Sequence, residues 1–149
     1  MVRRFRLALG IGLLAALTLG FAGPTAAGAK TIFASSMVGL PTGSLVLDGL
    51  TGGGVPWAIN AGRAILTEDG RLSVSVQGLV VASSGVNPVT SGRAVVVCAG
   101  VPVAFTDTVP FSGTGNAQVT TTVSLPETCL DLAVFFTNAS NRWFAVTGS

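Results

Sequence analysis

The stretch Ala61–Val81, AGRAILTEDGRLSVSVQGLVV, constrains the fold more than any other. Leu72, Val74 and Val76 alternate with Ser73, Ser75 and Gln77, a period of two that places the apolar set on one face of a strand and the polar set on the other. Ala64–Thr67 reads as the partner strand. Glu68-Asp69-Gly70 reads as the turn, with Asp-Gly offering the left-handed positions of a tight hairpin.

The rest of the chain repeats this grammar. Thr31–Ser35 is a short strand, and residues 42–55 are rich in Gly and Thr and read as loop around a short strand at Leu45–Leu47. Ala82–Gly92 is a loop built from Ser, Gly, Asn and Pro. Arg93–Cys98 is a continuous apolar run, as in a strand covered on both faces, and Ala99-Gly100 turns it into Val101–Thr106, where Pro102 predicts an edge position or a bulge. In Ala117–Leu125, Val119, Thr121, Val123 and Leu125 share one face, and Gln118, Thr120, Thr122 and Ser124 the other. Leu132–Asn138 and Arg142–Thr147 close the series. Nothing after residue 29 shows a 3.6-residue period of helical length. Seven to nine short strands predict an all-β fold: a single antiparallel β-sandwich, immunoglobulin-like, with a partly closed barrel as the alternative.

The first 29 residues follow different rules. Arg3, Arg4 and Arg6 precede an apolar run over Leu7–Phe21, and Ala27-Gly28-Ala29 has the small-x-small form of a leader cleavage site. The run is short of the ~20 residues that span a bilayer. Residues 1–29 are therefore expected to be a secretory signal peptide, 30–54 an N-terminal strand with a Gly-rich loop, and 55–149 the sandwich core, with 30–149 forming one domain. Without the leader, five basic residues (Lys30, Arg63, Arg71, Arg93, Arg142) face six acidic ones, a formal charge of −1. No basic cluster remains to neutralise phosphates, so no nucleic-acid partner is expected. Secreted, extracellular localisation with no membrane span after cleavage is the expectation.

Cys98 and Cys129 are the only cysteines, and an oxidising compartment favours their pairing as a disulfide. The chain has no His and no Tyr. Nucleophilic catalysis that relies on an imidazole base is thereby excluded. Two thiols without His or C-x-x-C spacing make a poor zinc site, and no calcium-loop or phosphate-loop pattern occurs, so neither metal nor cofactor is expected. Paired carboxylates for glycoside hydrolysis remain available in principle among Asp48, Asp107, Glu127 and Asp131. Trp57 and Trp143 are the candidate ligand-binding residues, set against the commoner role of such aromatics as core. Alternation sends Trp143 and Phe144 to opposite faces, so one of them belongs outside the core or under a loop.

PWAINAGRAILTEDGRLSVSVQGLVV, GVNPV, VVVCAG, VPFSGTGNAQV and LPETCL together resemble a group of uncharacterised small exported bacterial proteins from actinomycetes and similar soil organisms. The resemblance covers most of residues 55–147. It implies bacterial export and the Cys98–Cys129 pair, and no activity or catalytic residue. The expected function is that of a non-enzymatic secreted protein acting by binding or display at the bacterial exterior, with a cell-wall glycan or an extracellular protein as partner. The alternatives are a small carbohydrate-active hydrolase using paired carboxylates and a protease inhibitor presenting Ala82–Gly92.

Overall fold

The computed structural model describes residues 28–148, so most of the expected signal peptide lies outside the described residues. Thirteen strands follow in chain order: β1 Thr31–Gly39, β2 Val46–Leu47, β3 Leu50–Thr51, β4 Trp57–Ala58, β5 Ala61–Thr67, β6 Arg71–Gln77, β7 Val80–Val81, β8 Ser91–Cys98, β9 Val101–Phe105, β10 Val109–Pro110, β11 Ala117–Thr122, β12 Ala133–Thr137 and β13 Trp143–Thr147. No helix occurs among the described residues. Nine strands form one curled antiparallel sheet, in the order β10-β8-β12-β13-β1-β5-β6-β11, with β9 beside β10 along the same edge of β8. The pairs β2–β3 and β4–β7 are two small ladders outside it.

The curl turns on β1. Its first part, Thr31–Ser36, pairs with β5, and its last part, Met37–Gly39, pairs with β13. One strand thus joins the β5–β6–β11 half of the sheet to the β13–β12–β8 half. The N-terminal strand, which sequence reading set apart from the core at 55–149, lies at the centre. Pairing so distant in sequence leaves no local pattern to announce it.

The β5–β6 hairpin forms as expected, with Ala64, Leu66, Leu72, Val74 and Val76 buried and Arg63, Arg71 and Gln77 exposed. Its turn is longer than the two residues Asp-Gly favours. Only Gly70 has positive φ (83°), and its amide donates to the Thr67 carbonyl, which marks a three-residue loop of the bulged type. The β8–β9 connection is the two-residue turn, with φ of 50° at Ala99 and 76° at Gly100. Pro102 lies on an edge strand and beside a register shift at Val96/Val97, so both readings of that proline hold.

β8, β12 and β13 are covered on both faces, which accounts for their unbroken apolar runs. An irregularity at Phe136/Thr137 lets Phe136 and Phe144 pack with Phe111 and Trp57, while Phe135 and Trp143 meet edge to face at 5.6 Å. Trp143 is capped by the segment leading into β2, its indole N–H donating to the Leu45 carbonyl at 3.2 Å. It is the residue that alternation places under a loop. Cys98, at the end of β8, is disulfide-bonded to Cys129 in the connector between β11 and β12, with Cα atoms 5.0 Å apart.

Candidate functional site

Two clefts of opposite chemistry are built on this frame. The first, about 400 Å³, is floored by Trp57 and Phe144, whose ring centroids are 4.2 Å apart, and walled by Val81 and Val89. Four separate segments meet here. The β4–β7 ladder sets Trp57 opposite Val81, and the Trp57 amide donates to the Leu40 carbonyl at 2.8 Å. Gly53 and Gly54 form one lip, held by amide bonds from Gly53 to the Trp143 carbonyl (3.0 Å) and from Gly54 to the Gly43 carbonyl (2.7 Å). Gly53 approaches so closely that a Cβ there would stand 2.5 Å from Phe144 Cε1 and 3.1 Å from Trp57 Nε1.

The opposite lip is the turn after β12. Asn138 Oδ1 accepts the backbone N–H groups of Ser140 and Arg142, both at 2.9 Å. That fixes the amide orientation and leaves the Asn138 NH₂ as the side chain's remaining hydrogen-bonding group. Arg142 is exposed and adds a permanent positive charge. Trp57 is buried (4 % exposed), and its Nε1 has no hydrogen-bond partner, alone among the buried side-chain nitrogen and oxygen atoms of the described residues. An unpaired buried donor of this kind costs about 1–3 kcal/mol. No carboxylate lines the cleft. With Asn138 Oδ1 already engaged, the side-chain groups left over for a ligand are donors.

The second cleft, about 590 Å³, lies where the β5–β6 turn meets the β11–β12 connector. Glu68, Asp69 and Glu127 line it beside Phe33, Leu125 and Leu132. Glu68 Oε1 accepts the Lys30 backbone N–H at 3.2 Å. Asp69 accepts the Thr67 hydroxyl and the Arg71 amide, and these bonds, the hydroxyl's first, hold its carboxyl below the ordinary 3.8. A carboxyl held ionised is a poor general acid. No group of three or more His, Cys, Asp or Glu suited to a metal ion occurs among the described residues.

The sequence candidates therefore separate. Trp57 lies at a cleft floor, while Trp143 is 1 % exposed, donates to Leu45 and lines neither cleft. Neither indole presents an exposed face for stacking, because both rings fill the core. Of the four acids held available for paired catalysis, only Glu127 lines the acidic cleft, where the others are the turn residues Glu68 and Asp69. Asn138, Arg142 and Gly53 escaped sequence reading. Asn138 appears there only as the end of the strand Leu132–Asn138, and no signal joins residues 53, 57, 138 and 142 before the chain is folded. Comparison with protein-family models, with curated proteins and with solved structures finds no match to this chain.

Proposed function

We propose that this is an exported, non-enzymatic β-sandwich that binds an anionic, acceptor-rich ligand in the Trp57–Arg142 cleft. The unpartnered Trp57 Nε1, on a residue that lines the cleft and buried beside its Gly53 lip, carries the reading. With the Asn138 NH₂ and the Arg142 guanidinium it makes a donor-only set, which a carboxylate or a row of hydroxyl oxygens complements. Val81, Val89 and Phe144 supply the apolar surroundings that orient such a ligand. A carboxylate-bearing cell-wall glycan is the first class to test. The disulfide fits an oxidising exterior, and the leader pattern gives the route there.

The sandwich reading draws on the bend in β1, which folds one half of the sheet towards the other over a shared core. Its immunoglobulin-like form has less support. Cys98–Cys129 ties the end of β8 to the approach to its neighbour β12, not one sheet to another.

The test is titration of the exported chain with acidic and neutral cell-wall glycans, followed by tryptophan emission. Saturable binding that prefers acidic glycans and weakens about tenfold or more in Trp57→Phe and in Arg142→Ala is expected. Binding that survives both changes would place the site elsewhere, and no glycan binding would turn the search to extracellular proteins.

A further inference from the structure

The point where the chain enters the fold has its own chemistry. Gly28 and Ala29 are exposed and outside any strand, and a Cβ built at Gly28 would meet nothing within 4 Å. The next residue is held twice by one partner. The Lys30 N–H donates to Glu68 Oε1 at 3.2 Å, and the Lys30 carbonyl accepts the Glu68 N–H at 2.8 Å. Beyond Lys30 the chain is strand β1.

The expected leader cut falls between Ala29 and Lys30. Hydrolysis there adds water across the amide: hydroxide goes to the Ala29 carbonyl, which leaves as a carboxylate, and the Lys30 nitrogen becomes a free α-ammonium. That nitrogen is the atom already seated on Glu68. We infer that Glu68 is the docking site of the mature N-terminus, and that leader removal converts a neutral amide hydrogen bond into an ion pair between the Lys30 α-ammonium and the Glu68 carboxylate. The inference rests on the export reading above.

The surroundings favour the new charge. Asp69 and Glu127 share the cleft with Glu68, and no basic side chain lines it. The α-ammonium adds a positive charge beside three negative ones, and the Glu68 N–H to Lys30 carbonyl bond holds the partners in register. Before cleavage the same nitrogen is uncharged. The leader-bearing chain thus keeps the Lys30–Glu68 hydrogen bond but lacks its charge, and Lys30, the residue before β1, is anchored most firmly only once the leader has been removed.

The experiment is a double-mutant cycle on the exported protein. One form is cut natively, and a second carries a leader cut one residue earlier, so that Ala29 precedes Lys30 and displaces the charge. Each is made with Glu68 and with Glu68→Gln, and folding equilibria are compared in urea. The native start should favour the folded state about two- to fivefold over the Ala29-extended chain when Glu68 is present. That advantage should disappear in Glu68→Gln. Equal ratios in both backgrounds would overturn the ion pair. N-terminal sequencing of the naturally exported chain separates the two ideas, since a start other than Lys30 refutes this cleavage site and the inference with it. A start at Lys30 without coupling refutes only the Glu68 contact and leaves export standing.

Discussion

Removing the disulfide tests the architecture most directly. Cys98 and Cys129 are 31 residues apart. A closed loop of that size restricts the unfolded chain by an entropy worth about 3.7 kcal/mol at 25 °C. The folded side of the balance points the same way. The connector Val123–Leu132 between β11 and β12 has no regular structure, and most of its residues are exposed or half-buried. Besides the disulfide, it is held by the Val123 amide on the Gly70 carbonyl (2.9 Å) and by the Leu130 carbonyl, which accepts the Ala99 amide (2.7 Å). Replacing both cysteines by alanine should therefore lower stability by about 3–4 kcal/mol. With a urea slope of about 1–3 kcal/mol/M, the midpoint falls by roughly 1–4 M. Equilibrium urea unfolding of oxidised wild type and double variant measures this. Hydrogen exchange should show the Ala99 and Val123 amides losing protection before the β5–β6 amides do. A loss below about 1 kcal/mol, or an even loss of protection across the sheet, would refute the view that the bond acts by closing this loop.

Four further outcomes are expected. Asn87 is buried, its NH₂ donating to the Val89 and Ser112 carbonyls and its Oδ1 accepting the Val89 amide, so Asn87→Ala should cost about 2–4 kcal/mol in thermal or urea unfolding and loosen the 82–90 loop. Ala99 sits at φ 50°, so Ala99→Gly should stabilise by about 1 kcal/mol, seen as a higher midpoint at unchanged slope. Gly53→Ala forces a carbon against the Phe144 ring and should lower stability by about 1–3 kcal/mol while abolishing ligand binding in the Trp57 cleft. Asp69 is held below its ordinary 3.8, so its contribution is complete above that value and is lost as pH falls through the lower folded value. Asp69→Asn should accordingly be less stable than wild type at pH 6, with the difference narrowing as pH falls below 3.8, as read from urea midpoints at each pH.

Local order was legible wherever neighbouring residues carry the signal. The period of two in Leu72–Val76 named its buried face because pleating forces alternation whatever the partner strand is. Val119 and Thr120 fell on the buried and exposed faces for the same reason. Pro102 predicted an edge because it lacks an N–H to donate, and Trp143 and Phe144 parted as alternation requires. All-β class, the hairpin and the pairing of two lone cysteines thus belong to the sequence itself. The tertiary structure decided the rest. It placed β1 between β5 and β13, because strand partners are chosen by long-range burial that no window of the chain reports. It also buried both indoles, since a ring's exposure depends on what packs over it. Gly53, Trp57, Asn138 and Arg142 become a donor-lined cleft, and Lys30 meets Glu68, only when the curled sheet carries distant segments within hydrogen-bonding reach.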